Sequence, residues 1–153
     1  MKPSFEDQNP MHQAAASPAP TSRDCCAHWG IEVRESDYGR GVFASQDLAA
    51  GQLLARCPAI IIPRDDMHSA TLGSYVFLWP DEAGAFYAIL GGVGSFFNHH
   101  ADANAIFHPD IEQGLMEFHS CRAIAKGEEL RINYDYDAEY AHNNPHLAWY
   151  RQA

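Results

Sequence analysis

The chain has 153 residues, with 20 acidic side chains against 10 Lys and Arg and a formal net charge of −10. That length suits a single domain, and no apolar run reaches the roughly 18 residues of a membrane span. The acidic balance argues against direct nucleic-acid binding, which needs a basic patch, and favours a basic partner such as a lysine-rich peptide.

Along the chain, residues 1–26 read as a disordered tail. The first 23 residues hold four of the nine prolines and the run "AAASPAPTS", too little apolar surface to offset the entropy of ordering. The start also lacks the basic and apolar stretches of a secretory signal, so a cytoplasmic protein is expected, with nuclear action or secretion into a host left open. The body, 27–153, is long enough to bury a core. "IEVRES" (31–36) reads as a strand, "DYGRG" (37–41) as a glycine turn and "VFAS" (42–45) as a second strand. "QLLARCPAIII" (52–62) reads as two strands divided at Pro58, since proline cannot donate to a ladder. "SYVFLW" (74–79) and "AFYAIL" (85–90) flank the turn "PDEAG". "LMEFHSCRAI" (115–124) and "LRINYDY" (130–136) complete the strand set, and "DAEYAHNNPHLAWYRQA" offers a short C-terminal helix interrupted at Pro145. The pattern is mainly β, in several small sheets.

The chemistry-bearing stretch is "FFNHHADAN" (96–104). Alone it admits three readings. A metal-dependent hydrolase would use His99, His100, Asp102 and His108, although adjacent histidines on extended chain point to opposite faces. A nucleophilic triad would want a G-x-S-x-G elbow, which "GVGSF" approaches without its last glycine. A solvated loop without function is the third. No zinc-ligand spacing is present, and no metal is expected.

Three segments then occur together and in order: "YGRGVFA" (38–44), "GSFFNHHADANA" (94–105) and "AIAKGEELRINYDY" (123–136). Their combination resembles the SET-domain protein lysine methyltransferases, in particular short stand-alone bacterial and viral members, over about Ile31 to Tyr140. His100 stands where the family has serine and Ala103 where it has proline, and no cysteine follows Cys121 to form the family's zinc-binding end segment. The resemblance implies a SET fold with a threaded pseudoknot that brings 98–104 against 131–136. It also implies S-adenosyl-L-methionine as cofactor and the lysine ε-amine of a basic protein as acceptor.

By the same resemblance Tyr134 is the catalytic residue. Gly39, Arg40, Gly41, Asn98, His99 and Tyr136 would hold the cofactor, with Arg40 on its carboxylate, Asn98 on its methionine part and His99 meeting adenine through backbone groups. Tyr75 and Ile132 would shape the lysine channel, where the modest size of Ile132 leaves room for multiple methylation. Asn104 would pin the threaded loop, while Glu128 and Glu129 read as turn and surface residues. A homodimer that completes the substrate surface is a further expectation. The competing possibility from another class is a SET-like module that binds peptide or cofactor without catalysis.

Overall fold

The computed structural model describes residues 28–80 and 86–135. The expected tail, the C-terminal helix and Tyr136 lie outside the described residues. Two sheets form the body. The first has four strands in the order β1 (Ile31–Ser36), β2 (Gly39–Ala44), β9 (Glu129–Ile132) and β6 (Asn98–His99). The second has five, in the order β4 (Val76–Trp79), β5 (Phe86–Leu90), β3 (Leu53–Pro63), β8 (Leu115–Ser120) and β7 (Ala105–Asp110).

The β1–β2 hairpin turns earlier than its glycines suggest. Gly39 opens β2 with φ at +100°, a conformation that costs glycine little, so β2 takes in the second half of the expected turn. Pro58 does not divide β3. Residues 53–58 pair with β8 and residues 59–63 with β5, so the proline stands where the strand changes partners. Its missing N–H interrupts little there, and its carbonyl accepts from Gly91 N–H at 2.8 Å. Ahead of β4 comes a single helical turn, α1 (Ala70–Gly73), which Ser69 caps by accepting from Leu72 N–H at 3.2 Å; Ser74 and Tyr75 form a turn, so the strand starts at Val76, two residues later than expected.

Apolar side chains from both sheets share one core. Val42, Leu130 and Ile132 come from the first sheet, Leu54, Met116 and Phe118 from the second, and all are sealed from solvent together with Phe97. The rings of Phe97 and Phe118 stack at 4.2 Å, and Phe77 and Phe107 meet each other edge-on at 5.2 Å. Burial of this kind contributes roughly 25 cal/mol per Å² of apolar surface, the main force closing the two sheets.

The strand that ends the described chain sits inside its sheet. β9 is antiparallel to β2 on one edge and parallel to β6 on the other, with Asn98 opposite Arg131 and His99 opposite Ile132. The chain leaves β6, runs out through β7 and β8, and returns as β9 between β2 and its own earlier segment. This crossing is the pseudoknot, and Asn104 ties it. The Asn104 amide donates to Glu128 Oε1 at 3.0 Å and to the Glu129 carbonyl at 2.9 Å, and its oxygen accepts from Arg131 N–H at 2.8 Å.

Candidate active site

Tyr134 lies just past β9, where the ladder has ended and Asp135 turns the chain with φ at +54°. Two bonds hold it. Its hydroxyl donates to the Phe97 carbonyl at 2.8 Å, and its backbone N–H donates to His99 Nδ1 at 3.1 Å. With its proton engaged, the phenol oxygen presents lone pairs and acts as an acceptor.

Two cavities meet here. One, of about 650 Å³, is lined by Tyr38, Gly39, Arg40, Asn98, His99 and Phe96. The other, of about 430 Å³, runs along β4 past Phe77, Leu78 and Tyr87, with Arg64 at its rim and Phe97 and Phe107 on its inner wall. Ser74, Tyr75, Ser95 and Tyr134 belong to both linings. The larger volume lies within the range of cofactor pockets.

Within the larger cavity the sequence-expected residues divide by role. Gly39 faces open space, since a methyl placed on it would meet nothing within 4 Å, so a ligand can approach the backbone there. Arg40 lines the same wall and makes no ion pair among the described residues. Gly41 serves a different end: a methyl there would fall on the Glu129 carboxylate and within 3.0 Å of Asn98 Nδ2. It is small so that two side chains can reach the backbone, and the close approach is by protein, not by cofactor.

Asn98 is fixed by its amide nitrogen, which bonds Glu129 Oε1 at 2.7 Å, the Arg40 carbonyl at 3.0 Å and Ser36 Oγ at 3.2 Å. An amide has two protons, so this nitrogen is fully used and Oδ1 is the atom left for a ligand. Such an acceptor suits an ammonium group, while Arg40 suits a carboxylate; together they match the two charged ends of an amino acid.

The carboxylates after Gly127 are structural where the sequence suggests surface. Glu129 holds Asn98 through one oxygen and Arg131 through the other, at 2.6 and 3.0 Å, with its side chain only 11% exposed. Glu128 bonds Asn104, and the Arg122 guanidinium beside it, with help from Asn104 and the Ala125 N–H, holds its carboxyl below the ordinary range despite partial burial.

His99 is 4% exposed. Burial, then the neighbouring His100, push its pKa down, against a hydrogen bond to the Ile132 backbone. Neither histidine is arranged as a metal ligand: His99 Nδ1 is used by Tyr134, and His100 Nδ1 accepts from Asp102 N–H at 3.0 Å. His108 stands on β7 beside His119, and among the described residues no three His, Cys, Asp or Glu converge on one point.

Tyr75, 45% exposed, stands at the junction of the cavities. Ile132 does not: it is fully buried in the core and lines neither cavity, because the alternation that sends Arg131 to Asn98 sends Ile132 inward.

The SET-domain family model matches residues 39–135. The chain belongs to the SET-domain family. This SET domain is 26% identical over 109 residues to a histone-lysine N-methyltransferase of Schizosaccharomyces pombe, H3 lysine-37 specific, covering 68% of this chain and 72% of that one. It is 29% identical over 111 residues to mouse histone-lysine N-methyltransferase EHMT1, covering 66% of this chain but 9% of the relative. Among solved structures, KRYPTONITE in complex with DNA, an H3(1-15) peptide and SAH superposes with TM-score 0.57 at 20% identity, over 72% of this chain and 24% of that one. A humanized Polycomb Repressive Complex 2 of Chaetomium thermophilum bound to the inhibitor GSK126 gives TM-score 0.60 at 22% identity, over 71% and 15%. These likenesses establish the SET fold, and the matched region is a small part of most of these larger proteins.

Proposed function

We propose that this SET domain transfers methyl groups from S-adenosyl-L-methionine to a lysine ε-amine of a basic protein. The observation that carries the reading is the meeting of two cavities at Tyr134, one holding Arg40 and Asn98 and one lined mainly by apolar and aromatic side chains, with Arg64 and Asp135 among them. When bound, S-adenosyl-L-methionine supplies an electrophilic methyl on a positive sulfonium. Arg40 and Asn98 Oδ1 would hold the charged amino-acid end of that molecule, and the open backbone at Gly39 leaves it room.

The protein's share of the chemistry is alignment. A free lysine has pKa about 10.4 and attacks only when neutral. Contact with Phe77, Leu78 and Phe107 in the second cavity disfavours the ammonium form, against the Asp135 carboxylate in the same lining, which favours it. The Tyr134 oxygen, its own proton held by the Phe97 carbonyl, can accept from the amine. Tyr134 thus orients; it removes no proton, because a neutral phenol already donating its own proton to a carbonyl is a poor base. Fixing two reactants in line accounts for a large share of such an acceleration.

The substrate class follows from charge and kinship. The net charge of −10 attracts basic sequences, and the curated relatives are histone-directed, one structural neighbour having been solved with a histone peptide. Incubation with isotopically labelled S-adenosyl-L-methionine and a mixed basic-protein substrate, followed by mass spectrometry, is the test. Methylated lysines are expected; absence of both calorimetric cofactor binding and lysine methylation would end the proposal.

A further inference from the structure

Methyl transfer as proposed uses Tyr134, Arg40, Asn98 and the backbone at Gly39, and assigns no task to the His99 ring. The ring is nevertheless the group that ends the sheet. β9 stops at Ile132, so the Tyr134 N–H has no strand carbonyl to meet, and the imidazole Nδ1 takes that place at 3.1 Å. The two rings lie 5.3 Å apart, tilted by 51°, so the imidazole supports the phenol as well as its backbone. The phenol's other restraint, the Phe97 carbonyl, lies two residues before His99 on the same segment. Tyr134 is therefore clamped at backbone and hydroxyl by residues 97–99.

We propose that His99 is the positioning residue for Tyr134, and that protonation of its ring releases the tyrosine and switches methyl transfer off. The proposal rests on the methyltransferase reading for its effect on activity, and on geometry alone for the clamp. A ring nitrogen can accept only while it is unprotonated. The bond from Tyr134 therefore fixes His99 as the neutral tautomer with its proton on Nε2. A proton added at Nδ1 would face the Tyr134 N–H across 3.1 Å, two donors with no acceptor between them. The backbone at 133–135 must then move, and it carries the hydroxyl away from the Phe97 carbonyl.

The neighbourhood favours the neutral ring. His100 follows it in the chain and Arg40 lines the same cavity, and both oppose a positive charge on the ring, while a hydrogen bond to the Ile132 backbone favours one. Tyr134 is the titratable group on the segment packed against it, and Asp135 beyond it lines the other cavity. Glu129 and Arg131 gather at Asn98, on the opposite face of the β6–β9 pair, and the core side is apolar. Burial and His100 lower the pKa of the ring, so its stabilising neutral form is fully present above the ordinary histidine value and is lost as pH falls through the lowered one.

The test uses the full chain with His99→Ala and His99→Asn. Asparagine places its Oδ1 near the position of the imidazole Nδ1 and does not titrate. In the unsubstituted protein, the Tyr134 amide resonance, followed by NMR without cofactor or substrate, should shift with pH in step with the His99 ring. In His99→Asn that shift should vanish. With cofactor and substrate, His99→Ala should lower kcat by about tenfold to a hundredfold, the cost of a displaced reacting group, with cofactor Kd changed less than kcat. His99→Asn should restore much of kcat and flatten the acid limb of its pH profile. A Tyr134 amide that ignores the His99 titration overturns the clamp whatever the activity. An amide that follows it in a protein that methylates nothing leaves the clamp standing and refutes the methyltransferase reading instead.

Discussion

Asn104 offers the sharpest quantitative test of the threaded architecture. It is 5% exposed, and its side chain makes three hydrogen bonds, to Glu128, the Glu129 carbonyl and the Arg131 N–H. Asn104→Ala removes all three. Each is worth about 1 kcal/mol net, and the stranded Arg131 N–H adds the cost of an unpaired donor, about 1–3 kcal/mol, for a total of about 4–6 kcal/mol. Against a domain stability of roughly 5–15 kcal/mol that is a large fraction. Urea unfolding of both proteins at pH 7, read by tryptophan fluorescence and by circular dichroism, measures it. Asn104→Asp should be at least as damaging, since its second oxygen would face the Glu128 carboxylate and the Glu129 carbonyl, both acceptors. A loss below about 1 kcal/mol in Asn104→Ala would show that something other than Asn104 ties the pseudoknot.

The other expectations concern the site and its charges. Tyr134→Phe should cut methyl transfer about 10²- to 10³-fold in steady-state assays while changing stability by no more than about 1.5 kcal/mol, the worth of one hydrogen bond. Gly41→Ala should weaken cofactor binding, seen by calorimetry, because the new methyl displaces Asn98 and Glu129; the overpacking itself costs about 1–3 kcal/mol in stability. Glu128, whose carboxyl is held below its ordinary range, stabilises the fold above the ordinary carboxylate pKa and ceases to do so as pH falls through the depressed value. Glu128→Gln should therefore reduce the loss of stability between about pH 5 and pH 3 in acid unfolding curves. Affinity for a basic peptide should fall as salt rises from roughly 50 to 500 mM, since exposed charges are screened; a flat response would remove the charge argument for the substrate.

How far the sequence can be read depends on what kind of signal each feature carries. The strands with alternating or continuous apolar residues, 31–36, 86–90 and 115–120, are legible because burial writes them directly. β6 and β7 are not, since "NHHADANAIFHPD" mixes polar side chains, a proline and turn formers, and these strands exist because partners arrive from elsewhere in the chain. Pro58 misleads for the same reason: a local rule predicts a break, and the change of strand partner at that point removes the penalty. Ile132 and Glu129 mislead in complementary ways. Without knowledge of which face of β9 meets β6, an apolar residue reads as a channel wall and a carboxylate reads as surface. The motif residues Asn98 and Tyr134 can be singled out by resemblance, yet the bonds that fix them, from Glu129, Phe97 and the His99 ring, span distances no window along the sequence covers.

The place of β9 between β2 and β6 has a consequence for how the molecule is made. Val42 waits for Leu130, its neighbour in the sheet, while nearly all of the described chain is synthesised between them. A fold so rich in distant pairings is expected to form slowly, because loop closure must precede the contacts that reward it. On the ribosome, β1 and β2 emerge early and must persist with an unpaired edge until residues 129–132 follow. The site at Tyr134 therefore cannot be assembled before β9 is available, and a chain lacking that strand would lack the pairing of β9 with both β2 and β6 together with Tyr134.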